Sequence, residues 1–362
     1  MKFEKDDTKI MKAVAIILML YHHLFAFPDR INYNYISLFK YNDKTISFFI
    51  GDFGKICVAI FLFLGGYGTY CIYKNNTNEL IKKKLKSLYK CFLRVFIITI
   101  PISVLLHDKQ IVLEFKEFLY NITGWSTTYN GEWWFIMPYV FLIIMSPILI
   151  KIINKYTKNM YISFIVLIIY QLLLINYYPK LLALPAFDKY RLTNIYVNTT
   201  RTLYLLSTYV CGMLFAKYKL LDKVKVKLAS KFIYTIISII VIGIIFILRR
   251  LLWPYDIDLI FAPLFIISMT IILSNSIFNI LNKVLLKIGK DSTNIWLIHS
   301  FFCYHWCQKF IFMPKFSILI FLTLLVISYI SSIIINNIYK FIENKLGGKY
   351  GIQNASSQWS VY

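Results

Sequence analysis

A run of about 20 mainly apolar residues, the length an α-helix needs to cross the ~30 Å hydrocarbon layer of a bilayer, recurs ten times along this chain. The runs fall at Ile10–Phe27, Phe53–Tyr73, Leu88–Leu106, Trp133–Ile153, Met160–Tyr178, Tyr196–Ala216, Phe232–Leu248, Asp258–Ile277, Thr293–Phe310 and Ser317–Phe341. No repeat period, Gly/Ser linker or soluble-sized insertion interrupts them. The expected fold is an all-α polytopic membrane protein of about ten transmembrane helices, one domain over residues 1–346 followed by a short polar tail at 347–362. The first run follows a mixed-charge start, lacks a small-residue cleavage site and ends in Phe25-Ala26-Phe27-Pro28, so it is expected to be retained and not removed as a signal peptide.

With 40 Lys and Arg against 17 Asp and Glu, the formal charge of +23 would suggest nucleic acid in a soluble chain. Here the cations sit between apolar runs. One set of segments carries Lys2, Lys5, Lys9 and Lys12, then Lys82 to Lys86, then Lys151, Lys155 and Lys158, then Lys217 to Lys231, then Lys283, Lys287 and Lys290, and finally Lys340, Lys345 and Lys349. The alternate segments carry far fewer, so the charge is mainly topological and puts both the N- and the C-terminus in the cytoplasm, with no nucleic acid partner expected. A general attraction to anionic lipid remains. Six Cys scattered through apolar runs form no disulfide framework, and no His, Cys and carboxylate set has the spacing of a metal or haem site. Gly65-Gly66-Tyr67-Gly68 lies inside a run and reads as a close helix contact, not as a phosphate loop.

Ionisable side chains inside a span are costly, so each admits a structural and a functional reading. Lys12 and His23 stand eleven residues apart, about 20° from three full helical revolutions, with a rise of roughly 16 Å. They share a face, while His22 points about 100° away. The structural reading is a snorkelling Lys and interfacial His; the functional one is two stations along a polar seam. Lys82 to Lys86 reads as a solvated positive-inside loop, whereas Arg94, a turn or more inside the third run, demands a partner such as the phosphate of a cytoplasmic ligand. The ninth run opens at Gly289-Lys290-Asp291-Ser292 with capping chemistry and buries His299 nearly two turns in, either as a core His or as part of a site. The sixth run, with Asn198, Thr199, Thr200, Arg201 and Thr202, is too polar to face lipid all round and is expected to line a cavity. Glu132-Trp133-Trp134-Phe135, opening the fourth run, reads on composition as an aromatic belt with an exposed acid. As a site, Glu132 and Trp133 would join Arg201 in holding a substrate.

This constellation resembles the acyltransferase-3 family of membrane O-acyltransferases. The resemblance rests on Lys12-x10-His23, the second run's Phe61-Leu62-Phe63-Leu64-Gly65-Gly66-Tyr67, the basic stretch entering the third run, Trp133-Trp134-Phe135, and Gly289-Lys290-x-Ser292 with Trp296-Leu297-x-His299. It covers nearly the whole chain and implies transfer of an acyl group, usually acetyl from cytoplasmic acetyl-CoA, to a hydroxyl of a glycan or lipid-linked sugar. Lys12 and His23 match the family's basic-x10-His pair, and Lys83 with Lys86 falls where a basic-x-x-basic motif is usual. There the family commonly has Arg, whose bidentate fork Lys cannot reproduce. Trp296 stands where Tyr is usual, and no esterase-like domain follows the last run.

The chemistry suits that implication. A sugar hydroxyl is a weak nucleophile near neutral pH, and a neutral imidazole can take its proton as it attacks a thioester, which makes His23 the candidate general base. Lys12, Lys83, Lys86 and Arg94 would hold the phosphates of the acyl-CoA, a donor substrate and not a resident cofactor. His299 would donate to the developing oxyanion or orient the acceptor. The main rival is a secondary transporter or flippase whose polar groups line a substrate path, although Pro138 and Pro147 in the fourth run have no counterpart that marks an inverted repeat. A receptor or assembly partner would instead tolerate neutral substitution of the seam. The Lys-, Ile- and Asn-rich composition and the resemblance both lean towards a bacterial plasma membrane.

Overall fold

The computed structural model describes residues 3–73, 78–182, 192–223, 232–252 and 257–347, and these are almost wholly helical. The tail expected beyond residue 347 lies outside the described residues. In chain order the helices are α1 (Lys5–Phe25), α2 (Ile46–Gly54), α3 (Ile56–Tyr73), α4 (Asn78–Leu105), α5 (Phe115–Ile122), α6 (Ile136–Tyr156) and α7 (Met160–Leu182). They are followed by α8 (Asn194–Lys217), α9 (Phe232–Leu251), α10 (Asp258–Leu273), α11 (Asn279–Lys290), α12 (Ser292–Ser300), α13 (Gln308–Phe312) and α14 (Ser317–Gly347). A small antiparallel hairpin, β1 (Lys40–Tyr41) with β2 (Lys44–Thr45), lies between α1 and α2.

Helix ends obey ordinary capping chemistry. At the start of α1 the Asp7 carboxylate accepts from the Glu4 backbone N–H at 2.8 Å, half of a reciprocal capping box. Thr45 caps α2 by accepting from Phe48 N at 3.1 Å, and Thr193 caps α8.

Seven spans in the described residues are long and apolar enough to cross a bilayer, with α2 and α3 forming one of them, and the count reaches eight if a bent pair is included. The ten-span expectation departs from this at three places. Helix α8 is long, but its polar half, with Thr200, Arg201 and Thr208, is not apolar enough to face lipid and lines a cavity instead. The eighth run is split: α10 ends at Leu273, and the chain turns by 91° into the segment holding α11. The side chain of Asn275 holds the corner by donating to the Ile271 and Ile272 carbonyls. The ninth run gives only the nine-residue α12, then a π-helical turn at Phe301–Trp306 and the short α13.

Helix α1 is the axis of the molecule. Ala13, Ala15, Ile16 and Leu20 are fully buried, and α1 is packed by α2, α3, α11, α12 and α14. Its neighbours come close: a Cβ on Gly289 would lie 1.9 Å from the Lys9 carbonyl oxygen. The crossing of α3 and α8 is as close, with Gly66 meeting the Tyr209 carbonyl and Gly212 that of Phe63, so any side chain at either glycine would strike backbone. Such contacts do what small residues do in lipid, letting dispersion act where no hydrophobic drive separates helix from solvent.

Candidate active site

A cavity of about 800 Å³ runs beside α1, from Lys12 past Met19, His22 and His23 to Phe27 and Arg30. Its other walls come from α3 (Val58, Leu62, Gly65), α8 (Thr200, Arg201, Tyr204, Thr208) and the 131–139 segment (Glu132, Trp134, Phe135, Tyr139). The polar face of α8 thus lines a cavity, as its composition requires.

At the Arg30 end the ionisable groups converge. His23 Nε2 lies 3.4 Å from Glu132 Oε2, and Arg30 Nη1 lies 2.8 Å from Glu132 Oε1. Glu132 is held from its backbone as well: its N–H donates to Asn130 Oδ1 at 3.1 Å, and its carbonyl accepts from Trp296 Nε1 at 3.2 Å. Arg30 sits 4.2 Å from the Phe27 ring centre. Burial works against the Arg30 charge, but the Tyr304 hydroxyl and the Glu132 carboxylate outweigh it and hold the guanidinium pKa above its ordinary value.

Tyr304 fixes His23. Its hydroxyl donates to the His23 carbonyl at 2.5 Å and lies 3.4 Å from His23 Nδ1. The two imidazole nitrogens thus face different partners, Nδ1 the Tyr304 hydroxyl and Nε2 the Glu132 carboxylate. The neighbouring His22 turns away, its Nδ1 donating to the Gly51 carbonyl at 2.7 Å.

The Lys12 end has a different character. Lys12 lines the cavity with no hydrogen-bond or ion-pair partner among the described residues. Lys84 lies behind the wall formed by Gly65 and Tyr139, donating to the Gly65 carbonyl at 3.3 Å and to Thr69 Oγ1, with Nζ 5.5 Å from the Tyr139 ring centre. It is 5% exposed and near enough to Lys12 for the two ammonium groups to repel. Thr69 passes the network on to Tyr209 (2.8 Å), which meets Ser146 at 3.0 Å.

The structure brings His23, Lys12, Glu132 and Arg201 to this one cavity. Arg201 stacks 5.3 Å from the Trp134 ring centre. It is Trp134, not Trp133, that faces the cavity: Trp133 is 1% exposed, donates to the Leu297 carbonyl at 2.9 Å and packs among Phe92, Phe96 and Phe301. His299 is fully buried beside His23, ring centres 4.9 Å apart, but it does not line the cavity; its Nδ1 donates to the Trp296 carbonyl at 2.7 Å and its Nε2 has no hydrogen-bond partner among the described residues. Lys83 and Lys86 are exposed on the opposite face of α4, with Lys83 3.8 Å from Glu79. Arg94 finds its partner within the chain, Nη2 to Glu343 Oε1 at 2.6 Å, and turns towards α14.

Sequence reasoning missed Lys84, Arg30 and Tyr304. Lys84 shares a helical face with Leu88, which lines the cavity, and that phase was a usable signal. Arg30 and Tyr304 carry none, since their partners are far away in the chain.

An all-α membrane bundle whose polar cavity holds an imidazole, a carboxylate and cations at two separated stations has the chemistry to bind a ligand with apolar and anionic parts. A family model, that of the acyltransferase-3 acyltransferase domain, matches residues 7–337, and the chain belongs to this family: it is a membrane acyltransferase. No curated protein and no solved structure matches the chain.

Proposed function

We propose that the protein is a membrane O-acyltransferase of the plasma membrane, with both termini cytoplasmic. It moves an acetyl or other short acyl group from cytoplasmic acyl-CoA to a hydroxyl of a cell-surface or lipid-linked glycan. The observation that carries this reading is the single cavity with Lys12 at one end and the His23, Glu132 and Arg30 group at the other.

The acyl-CoA enters at the Lys12 end. Lys12 meets a donor phosphate directly, and Lys84 adds positive potential from behind the wall, a role in which a Lys acts as a point charge. The acyl thioester extends along the seam to His23. The acceptor hydroxyl attacks the thioester carbonyl while the neutral His23 imidazole takes its proton. A C–O bond forms, the C–S bond breaks, and the proton passes from His23 to the departing thiolate, which restores the neutral imidazole. Glu132 stabilises the transient imidazolium, and Arg30 with Tyr304 keeps carboxylate and ring in place. Arg201 and Trp134 offer a cation and an aromatic face to the acceptor sugar. His299 is a supporting residue for His23.

The test uses inside-out membrane vesicles offered acyl-labelled acetyl-CoA, comparing wild type with equally expressed His23→Ala and counting label in lipid and glycan fractions. Label transferred by wild type and lost in the variant is the expected result. Equal labelling in both, or none above empty membranes despite native acceptor, would transfer support to the transporter reading.

A further inference from the structure

A second cavity, of about 860 Å³, opens where the Arg30 end of the first one meets the outer ends of α2, α7 and α9. Asp52, Lys55, Tyr204 and Asp258 line both, so the two are neighbours across a shared polar wall. From this we infer that the second cavity is a binding site for the phosphate of a lipid headgroup that approaches sideways from the bilayer, between α7 and α9, and that it seats the anchor of a lipid-borne acceptor.

The chemistry of the walls is two-sided. Ile175 and Pro179 of α7 and Phe246 and Leu251 of α9 form apolar walls, while Lys44, Lys55, Arg249 and Arg250 supply four cations against the carboxylates of Asp52 and Asp258. Arg249 is committed, its Nε and Nη2 donating to the two Asp258 oxygens at 2.6 and 2.7 Å and its Nη1 to the Phe53 carbonyl at 3.0 Å. Arg250 and Lys44 are held more loosely. Arg250 is exposed, with Nη1 3.7 Å from Asp52, outside hydrogen-bond reach, and its guanidinium 4.6 Å from the Phe49 ring centre. Lys44, on the hairpin, rests 4.3 Å from the Phe48 ring centre without a carboxylate partner among the described residues. A phosphate monoester satisfies such a pair with charge-assisted bonds.

The lipid side is set by the helices. Only 17% of the α7 span and 11% of the α9 span is buried, and Leu172, Leu173, Ile244 and Ile247 are exposed on them. α7 is seated on α8 and α9 on α10, so among the described residues their lipid-facing surfaces flank the cavity without closing it. A free sugar chain calls for neither the apolar walls nor the excess of cations; an acyl-chain anchor with a phosphate headgroup calls for both. Seated there, the anchor leaves its sugar towards Arg201, Trp134 and Glu132. This deepens the acyl-transfer reading and rests on it only for what happens to the sugar.

The full chain in phosphatidylcholine nanodiscs is titrated with phosphatidic acid, with diacylglycerol as the neutral twin and inorganic phosphate as the soluble one, and bound lipid is counted by native mass spectrometry. Two variants are compared with wild type: Lys44→Ala with Arg250→Ala, and, as a charge-matched control at the other end of the bundle, Lys283→Ala with Lys287→Ala. Phosphatidic acid is expected to bind about tenfold more tightly than diacylglycerol, the first variant to lose that preference and the control to keep it. Equal binding of the two lipids, or an equal loss in both variants, overturns the site. Displacement by inorganic phosphate at the same concentration as the lipid overturns its assignment to a lipid. The readout does not depend on turnover, so acyl transfer can fail while the site stands, or acylation of a free glycan can persist in the first variant while the site falls.

Discussion

Helices α1 and α9 are nearly equal in length, 21 and 20 residues, yet 56% of the α1 span is buried in the bundle against 11% of α9. In a soluble protein the more buried helix would be the more apolar one. Here the order is reversed: α9 has the higher hydropathy, 2.6 against 1.3, because its solvent is hydrocarbon, while α1 uses its burial to shelter Lys12, His22 and His23. Inside a bilayer the interior of the protein is where polarity is tolerated, and the site lies along a well-buried helix for that reason.

The comparison can be tested first at its polar extreme. His23→Ala is expected to lower acyl transfer by at least about 10²–10⁴-fold, the usual contribution of a positioned general base, with thermal stability in detergent retained; activity within a few-fold of wild type would remove His23 from the chemistry. Glu132→Gln keeps the shape but not the charge and is expected to reduce kcat by about 10–100-fold, with the KM for acyl-CoA little changed. At the other station, Lys84→Met is expected to raise the donor KM about tenfold while the exposed Lys83→Met leaves it within about twofold, a contrast readable in one assay. Gly289→Leu on α11 forces a side chain against the Lys9 carbonyl of α1 and is expected to cost about 1–3 kcal/mol, measured as a lowered midpoint of thermal unfolding. At the apolar extreme, Ile240→Leu on the lipid face of α9, 55% exposed, is expected to change nothing measurable in either assay; a large loss there would mean that α9 is covered by protein and not by lipid.

Legibility in the sequence divides along the same line. The lipid-facing runs, such as Phe232–Leu248 and Ser317–Phe341, announce themselves by length and apolarity, and both appear as long helices. The seam was legible because Lys12 and His23 lie on one continuous helix, where spacing alone gives the face. The broken spans were not, since hydropathy averages over a window and is blind to the path of the backbone: the three polar residues Ser274-Asn275-Ser276 are too few to interrupt a run of about 20, yet the chain turns by 91° there. Lys84 was passed over for Lys83 and Lys86 because a motif gives sequence positions, while inward direction is set by the helices that α4 packs against. The Arg30 and Glu132 pair joins residues 102 apart, and Tyr304 reaches His23 across 281 positions, distances that only the folded bundle closes.

The π-helical turn at Phe301–Trp306 carries a last consequence. One residue more than an α-helical turn requires rotates the chain beyond it by about 100°, and Tyr304 meets His23 from within this widened turn. Just past it, Gln308 donates to the carbonyls of Cys303 and Arg30, at 2.9 and 2.8 Å, and so closes the turn against the segment that carries the guanidinium. The number of residues between His299 and Gln308 is therefore itself a structural parameter. Point substitutions there exchange one side chain, but a single deletion would reset the angular register of the whole stretch, so this is a segment in which related chains are expected to differ in letters and not in length.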